Sequence, residues 1–140
     1  ACFMGDKIVL SQCEEAFASN GMLSFDDKYS GGGRSVIPAH IPQEIENSIK
    51  NTVFAIYSRL NLRGIIRFDF IVSGENVYLS EVNTVPGSLA WYLFAPSFKK
   101  FYPILKGVIE QAVSDFSAEH SKLLLKTGIL ASVPSGSKLK

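Results

Sequence analysis

Polar and apolar positions change period along the chain, and the changes divide it into elements. Residues 3–10 form an apolar, β-prone run with a Gly5-Asp6 turn signal inside or beside it, which predicts a strand. Residues 14–24 show no clear period, and Ser19-Asn20-Gly21 marks a turn there. Between Pro38 and Leu60 the period becomes helical. Ile45, Ile49, Val53, Ile56 and Leu60 recur at spacings of three and four, one apolar stripe that predicts a helix packed on something flat. Pro42 suits the first helical turn, and Glu44 and Glu46 suit the positive end of the helix dipole. The period then falls to two. IIRFDFIV and VYLSEVN are rich in β-branched and aromatic residues and flank SGEN, which predicts a β-hairpin. After Thr84-Val85-Pro86-Gly87, a loop is expected over residues 88–97. A second helix should run to about Glu119, with Leu105, Val108, Ile109, Ala112, Val113 and Phe116 as its buried stripe. Pro103 is costly inside a helix and welcome at its first turn, so this helix is expected to start near residue 102. Residues 123–125 extend it or add a short piece, and residues 131–140 read as a flexible tail.

Composition adds bounds. The chain has 140 residues, 46% hydrophobic and 19% charged, as expected for one globular domain with its own core. The formal net charge is +1, which argues for neither a nucleic-acid partner nor an anionic membrane surface. No apolar run approaches a membrane span. The opening ACFMGDKIVL has neither a basic region nor a long apolar stretch, so it is not a signal peptide. It reads like strand interior, and the expectation is a chain cut from something longer. Cys2 and Cys13 show no metal spacing and are too few for a disulfide framework, which fits a reducing cytoplasm.

Two stretches carry candidate chemistry. Residues 26–37 read DDKYSGGGRSVI, and three consecutive glycines make a regular element costly, so a flexible loop is expected. It is either a plain connector or a flap that delivers Lys28, Tyr29 or Arg34 to a ligand. It is not a P-loop, because no G-K-[ST] follows the glycines. The isolated His40 and His120 offer no catalytic pattern, and Trp91 with its aromatic neighbours reads foremost as core.

The hairpin is the richer stretch. Side chains alternate along strands, so Arg67 and Asp69 share one face while Phe68 and Phe70 share the other. A two-residue turn at Gly74-Glu75 would pair Asp69 with Ser80. A three-residue turn over residues 74–76 would pair Asp69 with Glu81 and Arg67 with Asn83, leaving Phe68, Phe70, Tyr78 and Val82 on the apolar face. The three-residue turn is expected, because it keeps Glu81 off the apolar side. Two facing carboxylates with β-carbons roughly 5 Å apart repel unless something positive lies between them. A hard cation such as magnesium, joined by an amide oxygen from Asn83, would relieve that repulsion and leave room for phosphates. Arg67 would add a fixed positive fork. Spacing alone favours a plain salt bridge between Arg67 and either acid on a solvated face.

The combined motifs are more specific. GIIRFDF followed by YLSEVNTVPG, spanning residues 64–87, resembles the signature of D-alanine–D-alanine ligases. Asp27-Lys28-Tyr29 and Ile37-Pro38-Ala39 resemble that family's upstream elements, in the same order, and the resemblance covers roughly residues 3–115. It implies an α+β fold, a mainly antiparallel sheet with helices packed on one face, the C-terminal subdomain of an ATP-grasp enzyme occupying residues 1–140. It implies that Asp69, Glu81 and Asn83 ligate two magnesium ions, with manganese as a substitute, and that Glu81 bridges them. Lys28 would contact ATP phosphate, with Tyr29 and Arg34 on the same flexible loop, and Arg67 would be catalytic, stabilising phosphorylated and tetrahedral species. Gly87, Ser88, Tyr92 and Leu93 would bind the second substrate. The implied activity is ATP-dependent synthesis of D-alanyl-D-alanine through an acyl phosphate, for peptidoglycan precursors in the cytoplasm.

The implied partners are D-alanine, ATP and the preceding portion of the same enzyme, with a homodimer of the full-length enzyme as one assembly. Tyr92 departs from the pattern, since a serine is expected at its position. That leaves D-lactate, D-serine or another acceptor open. A third reading takes the chain by itself as a non-catalytic binding module.

Overall fold

A computed structural model describes residues 1–4, 7–17 and 34–123. Strand β1 (Cys2–Met4) pairs antiparallel with β2 (Lys7–Val9), so the single strand expected over residues 3–10 is a hairpin. The β-prone residues lie on both sides of the Gly5-Asp6 signal, which itself falls outside the described residues. The other edge of β1 meets the chain just before β5 (Arg67–Ser73). Ile66 N donates to Ala1 O at 2.9 Å, Ala1 N donates to Ile66 O at 2.8 Å, and Cys2 bridges Ile65. Strand β5 pairs antiparallel with β6 (Asn76–Asn83). A separate antiparallel pair joins β3 (Glu15–Phe17) to β4 (Arg34–Val36). Arg34, expected in the flexible loop, therefore lies in a strand. The glycines before it fall outside the described residues, as do Lys28 and Tyr29.

Alternation along these strands creates two cores. Ala1, Phe3, Ile66, Phe68 and Phe70 face helix α1 (Gln43–Arg59) through Val53 and Tyr57. Cys2, Val9 and Ile65 face Phe101 and Ile104 of helix α2 (Phe98–Leu123). The α+β class and the antiparallel pairing agree with the sequence reading. Neighbouring residues of β1 point in opposite directions, so one cluster forms around Tyr57 and the other around Phe101.

Helix α1 starts at Gln43 with Pro42 as its N-cap, within the stretch expected to hold it. Ile45 and Val53 are buried as expected, but Leu60 is exposed and Tyr57 replaces it as the deepest residue. The helix ends in a Schellman turn. Asn61 N donates to Ser58 O, Leu62 N donates to Tyr57 O, and Asn61 takes the left-handed conformation at φ 51°. The turn swings Leu62 back onto the core that holds Tyr57, whose hydroxyl donates to Gly64 O at 2.6 Å.

Helix α2 starts at Phe98, not near residue 102, and Pro103 lies inside it. Ser97 accounts for the earlier start, since its Oγ accepts from Lys100 N at 3.4 Å as an N-cap. Phe101 is fully buried, while Ile109, Ala112, Val113 and Phe116 of the expected stripe are exposed. Among the described residues, it is the first half of α2 that packs on the strands. No helix among the described residues is long and apolar enough to cross a membrane. Both cysteines are free, and Cys2 is buried.

Gly107 is the contact point between α2 and β1. A Cβ there would lie 2.4 Å from Met4 Cγ. Gly107→Ala should therefore destabilise the chain by about 1–3 kcal/mol, although alanine is the better helix former. Denaturant unfolding measures this, and Met4→Ala in the same chain should recover most of the loss. Burial, with the charge of Cys2 adding to it, pushes the Tyr57 phenol up to about 12 from 10.0. The folded value lies above the unfolded one, so the associated stability is intact below pH 10 and is lost as pH rises toward 12. The loss should be on the order of 2 kcal/mol and should shrink in Tyr57→Phe, where the Cys2 thiol, also pushed up by burial to about 11, accounts for part of what remains, read as unfolding midpoints from pH 9 to 12.

Candidate functional site

Strands β5 and β6 align their polar residues by an unexpected device. The turn has two residues, not three, since Ser73 pairs with Asn76. Gly74 comes first in it with φ 59°, as a glycine-first hairpin turn requires. Carried regularly to the strand ends, that register would place Asp69 opposite Ser80. A bulge intervenes. Phe70 pairs with Leu79 and Asp69 with Glu81, so Ser80 is the extra residue. The expected pairings Asp69↔Glu81 and Arg67↔Asn83 are therefore present, by a different route. Leu79 and Glu81 are two apart and would share a face in a regular strand. The bulge separates them, placing Leu79 beside Phe70 and Glu81 beside Asp69. Leu79 thus takes the place expected for Tyr78, which pairs with Ile71 and is exposed.

The polar face carries a tight ion pair. Arg67 Nε donates to Asp69 Oδ1 at 2.8 Å and Nη2 donates to Asp69 Oδ2 at 3.1 Å, a two-pronged contact along one strand. Both side chains are under a third exposed, so the pair is better shielded than a surface salt bridge. Burial alone would pull the Arg67 guanidinium down. The Asp69 hydrogen bond and charge, with Tyr92 and Glu81 nearby, outweigh it and hold Arg67 above its usual range. Asn83 Oδ1 accepts from Val85 N at 3.0 Å, which fixes the chain as it leaves β6.

The segment Gly87–Leu93 carries the remaining candidates. Ser88, Leu89 and Ala90 adopt φ of 51°, 55° and 47°, three consecutive left-handed residues none of which is glycine. Such residues cost about 1–2 kcal/mol each, so packing must hold the turn in place. Ala90 and Leu93 are buried, and Leu89, Trp91 and Phe94 join the core around Phe101. Trp91 lies edge-on to both Tyr92 and Phe98, in agreement with its core reading.

Gly87 and Ser88 are exposed. Leu93, expected to bind substrate, is buried. Tyr92 is half-buried, and its hydroxyl donates to Glu14 Oε2 at 3.3 Å. Burial pushes the Tyr92 phenol up, the charge and hydrogen bond of Glu14 push it further, and Arg67 works against them. The sequence reading missed Glu14, which lies 78 residues from Tyr92 in a stretch with no clear period.

Among the described residues, no group of three or more His, Cys, Asp or Glu side chains could hold a metal ion. The donor set on the hairpin is different, comprising the paired carboxylates of Asp69 and Glu81 with the Asn83 amide oxygen on the same face. Hard oxygen ligands of that kind fit magnesium, which needs few protein ligands when phosphates and waters supply the rest.

Comparison with known proteins follows the same motifs. A family described as D-ala D-ala ligase C-terminus matches residues 1–113. The D-alanine–D-alanine ligase of Thermosipho africanus strain TCF52B is 33% identical over 126 residues, covering 86% of this chain and 34% of the relative. That of Campylobacter lari strain RM2100 is 40% identical over 95 residues, covering 66% and 27%. That of Bacteroides thetaiotaomicron is 41% identical over 83 residues, covering 59% and 26%. The chain thus spans about a third or less of the length of these curated relatives.

The left-handed turn makes a measurable claim. Ser88→Gly should stabilise the chain by about 0.5–1 kcal/mol, since strain relief exceeds the entropy glycine adds to the unfolded state. Leu89→Gly should destabilise it, because it also removes a packed side chain. Unfolding midpoints separate the two, and equal effects would contradict the assigned backbone.

Proposed function

The chain belongs to the D-alanine–D-alanine ligase family, matching its C-terminal region, and we propose that it supplies the metal- and phosphate-handling face of an ATP-dependent ligase that joins two D-alanines. The observation that carries this reading is the Asp69↔Glu81 pairing beside Arg67 and Asn83, on one face of a hairpin whose motifs match the family.

In the proposed reaction, a carboxylate oxygen of the first D-alanine attacks the γ-phosphorus of ATP. The bond to ADP breaks and an acyl phosphate forms. The amine of the second D-alanine then attacks the acyl carbon, phosphate leaves, and the amine loses a proton.

Asp69, Glu81 and Asn83 would hold two magnesium ions, which would supply charge neutralisation for phosphate transfer. Arg67, locked by Asp69 into one orientation, presents a permanently charged guanidinium to developing oxyanion charge at little reorganisation cost. Gly87 and Ser88 line the exposed approach where the second D-alanine would bind, and Tyr92 borders it. Lys28 would reach ATP phosphate from outside the described residues, with Tyr29 beside it. The preceding portion of the longer enzyme would close the opposite wall of the cleft, so the isolated chain should be inactive. Its products would serve peptidoglycan precursor synthesis in the cytoplasm.

The test restores the preceding segment and follows phosphate release from Mg-ATP. Release should require D-alanine and fall by at least about a hundredfold in Glu81→Gln, equivalent to losing a few kcal/mol of charge stabilisation. On the chain alone, manganese binding followed by electron paramagnetic resonance should weaken in Asp69→Asn and Glu81→Gln. Release with D-lactate or D-serine but not D-alanine would move the acceptor specificity. No release with any acceptor would overturn the ligase reading.

A further inference from the structure

We propose that Glu14 is a positioning residue for the acceptor end of the site, holding the Tyr92 phenol in place beside Arg67 and Asp69. The functional consequence rests on the ligase reading above; the contact itself does not.

Two observations bring the segments together independently. Gln12 N donates to Leu93 O at 3.1 Å, clamping the chain before β3 against the end of Gly87–Leu93. Two residues later, Glu14 receives the Tyr92 hydroxyl at 3.3 Å. The backbone around Tyr92 is already constrained, since residues 88–90 are left-handed and Leu93 is buried. What the backbone leaves free is the phenol's own rotation, and the Glu14 carboxylate limits it.

The donor direction follows from chemistry. A carboxylate oxygen accepts, so the Tyr92 hydroxyl donates its hydrogen bond to Glu14. Its lone pairs then remain for the site. They suit an acceptor that offers an N–H, such as an amino acid's amine, better than they suit a carboxylate. Toward the site, Tyr92 is therefore an acceptor. Glu14 acts through Tyr92 and need not touch substrate.

Glu14→Ala, Tyr92→Phe and the double variant test the proposal, with Glu14→Gln as the conservative control that can still accept a hydrogen bond. On this chain, each single variant should lower the denaturation midpoint, and the double should lower it no further than the worse single. Fully additive shifts would mean the contact is not made and would overturn the proposal. In the longer enzyme, Glu14→Ala and Tyr92→Phe should each raise KM for the acceptor by about five- to tenfold and leave KM for ATP unchanged. The double should match the singles, and Glu14→Gln should recover most of the loss. An acceptor KM unmoved by Glu14→Ala would overturn it. A wild-type longer enzyme with no D-alanine-dependent phosphate release would defeat the ligase reading instead, and the unfolding comparison would still decide whether Glu14 holds Tyr92.

Discussion

The reciprocal backbone hydrogen bonds between Ala1 and Ile66 are the join on which the rest depends. They bind one hairpin to another along a shared edge, with the Cys2–Ile65 bridge beside them. A lone two-stranded hairpin is marginal in water. Joined, the strands present two faces wide enough for a helix on each. Tyr57 then closes one core and Phe101 the other, and both residues are almost fully buried. The same join fixes which face of β5 carries Arg67 and Asp69, because Ile65 already belongs to the α2 side and alternation does the rest. The candidate site therefore lies on the face shared with α2 and the Gly87–Leu93 segment.

Within that frame the site is held by local irregularities. The Ser80 bulge breaks the ladder once and separates Leu79 from Glu81, so one strand sets Leu79 opposite Phe70 and Glu81 opposite Asp69. The left-handed turn over residues 88–90 costs backbone energy, and the aromatic cluster of Trp91, Phe94, Phe98 and Phe101 supplies packing to hold it. Strain balanced by packing next to polar side chains is common where a surface must be preorganised. Here Leu93 is buried and Tyr92 faces the Arg67–Asp69 pair.

The ion pair has a consequence for metal binding. Arg67 engages both oxygens of Asp69, so a cation between Asp69 and Glu81 must use the remaining lone pairs or loosen the fork. An ionised carboxylate has about four acceptor positions, which allows both. The salt bridge and the proposed metal site are therefore compatible: the bridge orients Asp69 and leaves oxygens of Asp69 and Glu81 available to a cation.

The sequence by itself determined the element types, the polar set of the hairpin and the family, because short-range periodicity and contiguous motifs carry that information. It also located Asp69, Glu81, Asn83 and Arg67 on one face, although by the wrong turn. Tertiary structure alone decided the rest. Helix α2 shows a clear apolar stripe, yet among the described residues it is the first half that packs on the strands, and Ile109, Val113 and Phe116 are exposed; periodicity says a face is apolar, not what covers it. The bulge at Ser80 left no signal, because it settles a competition between turn geometry and face chemistry that exists only once the strands are paired. The Glu14–Tyr92 contact left none either, because residues so far apart in the chain become neighbours only when the strands, the helices and the left-handed turn are all in place.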